Sequence, residues 1–182
     1  MRKLLLAVAA LLLLQACSLF SNPFEDSGKQ ARGEYLVALL GCGSCHTPGA
    51  LLGKPNLQQA LAGSDTGIAW NNPLLEPLPG ILYPPNLTPD IETGIGSWSV
   101  QEVARMIRTG LGKHGQTRWV MPWPSYGKLA EEDAIAIAFY LKSLPPVQHK
   151  VPADLKPGQK TESQFIHLGV YQNTPASAPL SK

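Results

Sequence analysis

The chain has 182 residues, a hydrophobic fraction of 44% and a formal net charge of +2 at pH 7. This length and composition suit one globular domain with modest additions. The near-neutral charge argues against nucleic-acid binding, which requires a strong basic patch. The 17 Gly and 17 Pro residues predict much loop and turn with a few helices between.

The N-terminus has the pattern of a bacterial lipoprotein signal. A positive start, Met1-Arg2-Lys3, precedes an uncharged run from Leu4 to Leu14 that is too short to span a membrane. The run ends in Leu14-Gln15-Ala16-Cys17, which resembles a lipobox, where cleavage precedes a lipidated Cys. We therefore predict that Cys17 anchors the chain to a membrane in the periplasm. The alternative is an ordinary signal peptide that is cut nearby, with Cys17 discarded.

The residue after Cys17 bears on which membrane holds the chain. It is Ser18 and not Asp. By the rule known for enteric bacteria, this slightly favours the outer membrane.

Three segments have helical periodicity. In the second, Ser99 and Glu102 form a capping box and Gly110 is a natural stop. A long stretch rich in Pro, Gly and Asn separates the first two helices, which is unusual in a compact domain unless another group fills the core. The predicted helices are Lys29–Leu40, Ser99–Thr109 and Glu131–Leu144, the irregular stretch is Thr47–Gly96, and a polar, Pro-rich tail follows Val147.

The motif Cys42-Gly43-Ser44-Cys45-His46 follows the first predicted helix. C-x-x-C-H is the haem c attachment motif. Two thiols at this spacing reach the two vinyl groups of one haem and form thioethers, and the adjacent imidazole then ligates iron. A redox dithiol would instead follow a strand at the start of a helix, and a zinc site would need a second pair of ligands. We therefore predict one covalent haem c on Cys42 and Cys45, with His46 as an axial ligand.

Met121 is the predicted second axial ligand. It lies in Trp119-Val120-Met121-Pro122-Trp123-Pro124, a Pro-stiffened loop that can present a soft thioether to iron at little entropic cost. His/Met ligation gives cytochromes c a high reduction potential. His114 is the main rival, while Met106 on the second helix reads as a filler of the core.

The order of these features resembles a class I c-type cytochrome domain. A helix leads into the Cys42–His46 motif, the Met121 loop follows, and a last helix ends in Tyr140-Leu141-Lys142-Ser143-Leu144-Pro145-Pro146. The stretch from Asn86 to Trp98 is similar to haem domains in cytochrome subunits of bacterial membrane-bound dehydrogenases. Those subunits usually carry several haem motifs, whereas this sequence has one.

The resemblance implies an all-α cytochrome c fold of three main helices around one haem, with long irregular loops. It implies that the first helix crosses the last near Gly33, Phe139 and Tyr140, and that Pro48 and Asn86 lie near the haem. Packing or propionate contacts are expected from Trp98, Trp123 and Arg118, although simple core packing is an equal alternative. The predicted boundaries are a signal peptide over 1–16, a lipidated tether over 17–28, a cytochrome domain over 29–147 and an extended tail over 148–182.

The expected function is single-electron transfer without catalysis of its own. The expected partner is a dehydrogenase or a terminal oxidase that exchanges electrons with the haem iron. The main alternative is a haem enzyme or a gas or peroxide sensor, which requires an open or displaceable sixth iron position. A third possibility is a lipoprotein without redox chemistry whose C-x-x-C-H is coincidental.

Overall fold

A computed structural model of the chain describes residues 23–73, 78–112, 115 and 120–168. Cys17, His114 and Arg118 therefore lie outside the described residues. None of the helices within the described ranges combines the length and the apolar character needed to cross a bilayer.

Helix α1 spans Pro23–Leu39 and leads into the Cys motif. Its C-terminal end agrees with the prediction, but it begins earlier than Lys29. The helix stops because Gly41 has a φ of 66°, a left-handed conformation that glycine adopts without strain. A one-turn helix, α2, then spans Gly43–His46.

Helix α3 spans Val100–Thr109 and has both of the predicted end signals. The Ser99 hydroxyl accepts from the Glu102 backbone N–H at 3.1 Å, and the Glu102 carboxylate accepts from the Ser99 N–H at 2.8 Å. This reciprocal pair satisfies two backbone donors that the first turn would otherwise leave open. At the other end, Gly110 is left-handed and donates to the Met106 carbonyl at 2.8 Å.

A short helix, α4, spans Trp123–Tyr126, and helix α5 spans Glu131–Ser143. Helices α1 and α5 cross at Gly33, where any Cβ would collide with the Ala136 carbonyl and would lie 2.6 Å from the Tyr140 Cβ. The expected crossing near Gly33 and Tyr140 is therefore present. Around it lies the apolar core, formed by Leu36, Val37, Leu61, Ile95, Val103, Ala104, Ala134, Ile137, Ala138 and Leu141.

A small sheet, not predicted from the sequence, lies beside the helices. Strand β1, Gly67–Ala69, pairs antiparallel with β2, Ile81–Leu82, and parallel with β3, Phe165–His167. The strand order is β2-β1-β3. The irregular stretch thus contains strands, the all-α description is incomplete, and the cytochrome c fold stays a prediction.

The segment after α5 packs back onto the domain as far as the described residues extend. Leu155 and Ile81 exchange backbone hydrogen bonds of 2.8 and 2.9 Å. The Asp154 carboxylate accepts from the Tyr83 N–H at 2.9 Å, and β3 adds a strand to the sheet. This segment therefore supports the wall of the domain that β1 and β2 form.

Candidate functional site

A cavity of about 250 Å³ lies between the helices and the sheet. Cys42, Cys45, His46 and Met121 all line it. The two parts of the predicted site are far apart in sequence, and the fold brings them to one space.

The Cys motif is held at the cavity wall by local backbone bonds. The Cys42 N–H donates to the Val37 carbonyl at 3.2 Å, which fixes the motif to the end of α1. The His46 N–H donates to the Cys42 carbonyl at 3.0 Å, which closes the turn of α2. His46 is buried, at 6% exposure, whereas both Cys side chains are half-buried.

The orientation of His46 suits a metal ligand. Its Nδ1 lies 2.8 Å from the Pro85 carbonyl oxygen. Because a carbonyl can only accept, Nδ1 must carry the proton, and a neutral ring then keeps its lone pair on Nε2. Ligating histidines are commonly fixed by such a bond from the other ring nitrogen.

Met121 enters the cavity from the turn that precedes α4. Its carbonyl accepts from the Trp123 N–H at 2.8 Å, which closes this turn. The Tyr126 hydroxyl donates to the Leu40 carbonyl at 3.2 Å and so connects α4 with the residues before the Cys motif. Burial raises the pKa of Tyr126 above its ordinary value.

Other candidate ligands differ in position. Met106 of α3 also lines the cavity and is a second thioether that could ligate iron. His149 does not line it: its Nδ1 donates to the Ala62 carbonyl at 2.7 Å, and its Nε2 lies 3.2 Å from an Asp65 carboxylate oxygen. His167 lies in β3, also away from the cavity lining.

The thiols do not have the character of a redox dithiol. Burial raises the pKa of Cys42 to about 11, and burial also raises the pKa of Cys45. Catalytic and redox thiols require a lowered pKa, because the thiolate is the nucleophile. In the described ranges, no group of three or more His, Cys, Asp or Glu side chains is arranged so that it could hold a metal ion by itself.

The rest of the cavity wall is mainly apolar. Helices α3 and α5 provide Val103, Ile107 and Leu141, and the sheet provides Ile68 and Leu82. A haem is a large apolar ring that needs two thiols at one edge and axial donors at its iron. Two thiols, an imidazole and a thioether on an otherwise apolar wall fit that group.

Asn86 is buried at this wall, with 1% exposure. Its carbonyl oxygen accepts from the Thr88 backbone N–H at 2.9 Å and the Thr88 hydroxyl at 2.8 Å. Its amide nitrogen donates to the Thr93 hydroxyl at 3.1 Å and the Val147 carbonyl at 2.7 Å. Asn86 therefore fastens this loop to the segment after α5.

Only some of the side chains that the resemblance placed near the haem line the cavity. Trp98 lines the cavity with Asn86, but Pro48 and Trp123 do not. The Trp123 ring instead packs against Gly110. Trp123 is thus a packing residue between α3 and α4.

Lys142 of α5 has a structural role that was not predicted from the sequence. Its ammonium donates to the Ile95 carbonyl at 3.1 Å and to the Gly96 carbonyl at 2.7 Å. Gly94 and Ile95 line the cavity, so Lys142 holds part of its wall against the last helix. A lysine in the last turn of a helix more often binds that helix's own carbonyls, so the sequence offered no signal for this contact.

Comparison with known proteins gives a consistent set of relatives. The chain is 34% identical over 151 residues to the cytochrome c subunit of alcohol dehydrogenase (quinone) from Gluconobacter oxydans (strain 621H), which covers 80% of this chain and 28% of that protein. It is 37% identical over 142 residues to the fructose dehydrogenase cytochrome subunit of Gluconobacter japonicus, with 76% and 25% covered.

A third relative is the gluconate 2-dehydrogenase cytochrome c subunit of Pantoea cypripedii. The identity is 34% over 133 residues, which covers 70% of this chain and 27% of that protein. The chain thus spans about a quarter of the length of these curated relatives. No protein-family model matches the chain.

Proposed function

This chain is a c-type cytochrome similar to the cytochrome c subunits of bacterial dehydrogenases, and from this premise we propose that it is a single-electron carrier with one haem c. Cys42 and Cys45 would bind the haem covalently, and His46 and Met121 would ligate its iron. A single haem is proposed because the given sequence has one C-x-x-C-H motif.

One observation carries this proposal. The buried imidazole of His46, both thiols and the Met121 thioether line the same cavity, whose remaining wall is mainly apolar. Bound haem supplies one-electron exchange at iron. The protein's part is to hold the ring, supply both axial donors and exclude water, which together set the reduction potential.

The proposed partner is a dehydrogenase that passes electrons to this chain for delivery to the respiratory chain. Its relatives are named as subunits of alcohol, fructose and gluconate dehydrogenases, which supports a partner of that class. We further propose that the protein works in the periplasm, held to the membrane by lipid on Cys17, with the outer membrane slightly favoured.

A redox titration with a carbon monoxide control tests the carrier role. The purified protein should titrate as one reversible one-electron couple, because it holds one iron. The ferrous form should not bind carbon monoxide rapidly, because Met121 fills the sixth position. Rapid carbon monoxide binding by the unmutated protein would instead support an open-site enzyme or sensor and would contradict the carrier role.

A further inference from the structure

A second cavity, of about 390 Å³, lies on the face of α3 opposite to the cavity of the Cys motif. Val103, Met106 and Ile107 face the first cavity, and none of them lines the second. We call the second cavity the arginine groove. Its lining comes from α3, α5 and the end of α4: Gln101, Ala104, Arg105, Arg108, Thr109, Gly127, Glu131 and Ile135.

The guanidinium of Arg108 has donor capacity that its surroundings do not use. Its Nε is buried and has no hydrogen-bond partner among the described residues. The carboxylate of Glu131 lies 3.8 Å from a terminal nitrogen of Arg108, beyond hydrogen-bonding distance. A buried donor without an acceptor costs free energy. The Nε itself has almost no accessible surface, so an incoming acceptor would first meet the terminal nitrogens of this side chain, which is 38% exposed.

Arg32 of α1 forms a fully hydrogen-bonded ion pair, which serves as a comparison for Arg108. Arg32 donates to both carboxylate oxygens of Asp133, at 2.8 and 3.1 Å. The Arg108–Glu131 pair has no such fork, and the Glu131 side chain is 75% exposed. The ion pair of Glu131 with Arg108 is therefore weak, and the exposed Glu131 side chain has room to rotate away from Arg108 when a ligand carboxylate binds.

The groove has the chemistry of a carboxylate site. Arg105 and Arg108 are three residues apart in α3, so they lie on one helix face. Their planar guanidinium groups match a carboxylate with two parallel hydrogen bonds. Ala104 and Ile135 give the groove an apolar part that can hold a short carbon chain.

We propose that the arginine groove binds a carboxylate group, with Arg108 as its principal donor and Arg105 as the second. The carboxylate belongs either to a free small organic acid or to an acidic side chain of a docked protein. This site is independent of the haem, and its existence does not rest on the proposed electron transfer.

Titration of the ¹⁵N-labelled full chain in reducing buffer tests the proposal, with the arginine Nε–H signals followed by NMR. Succinate is the probe for a free acid, and an end-blocked Ala-Glu-Ala peptide is the probe for a side chain. We expect the Arg108 Nε–H signal to shift and saturate with at least one probe, because a carboxylate bound to the terminal nitrogens changes the electronic environment of the whole guanidinium group. The tighter of the two probes identifies the source of the carboxylate.

Three variants separate binding in the groove from general attraction of anions. Arg108→Gln should weaken binding by about tenfold or more, because a charge-assisted bond is lost. Arg108→Lys keeps the charge but loses the fork, so it should also weaken binding, by roughly threefold or more. Lys160→Gln removes one charge from an exposed side chain outside the groove and should leave the affinity unchanged.

Two results would overturn the proposal. One is a shift that grows linearly with both probes and never saturates. The other is an affinity that Arg108→Lys leaves equal to that of the unmutated protein, because the groove would then act only as a point charge.

Discussion

Met121 and Met106 lie at the wall of one cavity but are held in different ways. Met106 lies within α3, whose backbone fixes its position, whereas Met121 lies in a turn that the Trp123 N–H closes. A turn can place a thioether at iron without moving a helix. We therefore propose that Met121 ligates iron and that Met106 packs the core.

Met121→Ala should open the sixth iron position. The ferric protein should lose its near-infrared sulfur-to-iron charge-transfer band, the ferrous protein should bind carbon monoxide, and the reduction potential should fall because a thioether ligand is lost. Absorption spectroscopy and potentiometry measure all three changes.

Met106→Ala is the matched control, since it removes a thioether from the same cavity. This variant should keep the charge-transfer band. If Met106→Ala loses the band and Met121→Ala keeps it, the ligand assignment is wrong.

Single residues were predictable where their chemistry is local. Cys42, Cys45 and His46 are recognisable within five positions, and all three line the cavity. The unused Nε of Arg108 was not predictable, because its state depends on which side chains approach from other elements.

Among the helices, the crossing of α1 and α5 is the contact most sensitive to side-chain size. Gly33→Ala should lower the free energy of unfolding by about 1–3 kcal/mol, because the new methyl group collides with the Ala136 carbonyl of α5. Denaturant unfolding measures this change.

Gly28→Ala in the same helix is the control, because a Cβ at Gly28 meets nothing within 4 Å. This substitution should stabilise the protein by about 0.5–1 kcal/mol through helix propensity alone. Equal effects at both positions would show that the crossing is not close-packed at Gly33.

The ion pair between α1 and α5 makes stability depend on pH. The hydrogen bonds from Arg32 lower the pKa of Asp133 below its ordinary value. A lowered pKa stabilises the folded state above the unfolded pKa, and this contribution disappears as the pH falls through the folded pKa. Asp133→Asn should therefore be less stable at pH 7, with a difference that shrinks below about pH 4.

Glu132→Gln is the control for this pH effect, since it removes an acid from the same first turn of α5. It should change stability little, because the ion pair with Arg32 belongs to Asp133. Thermal unfolding across this pH range checks both variants. A loss in Asp133→Asn that persists unchanged at low pH would contradict the ion-pair explanation.

Helices were predictable where local signals mark their ends. Helices α3 and α5 were placed within one residue at each end, because the capping box of α3, the acidic first turn of α5 and apolar periodicity are local signals. The start of α1 was placed six residues too late, at Lys29 instead of Pro23. The strands were missed because Gly67–Ala69 and Ile81–Leu82 are too short to show alternation. Pairing of β1 with Phe165–His167 depends on contacts across nearly a hundred residues, which no local pattern encodes.

At the scale of the whole molecule, two layers enclose one cavity. Helices α2, α3 and α5 form one side, and β1 and β2 with the loop around Asn86 form another. The segment after α5 braces this second side through β3 and Asp154. Binding one large apolar group between such layers would explain why an irregular stretch as long as Thr47–Gly96 can fold here.

One haem bound covalently through Cys42 and Cys45 underlies the proposed function. Mass spectrometry of the denatured full chain, produced in cells that mature c-type cytochromes, tests this attachment. We predict a mass increase of one haem, located on a proteolytic peptide that contains both Cys residues, and none in a Cys42→Ala, Cys45→Ala double variant. A chain without added haem and with both thiols unmodified would show that the proposed attachment is wrong.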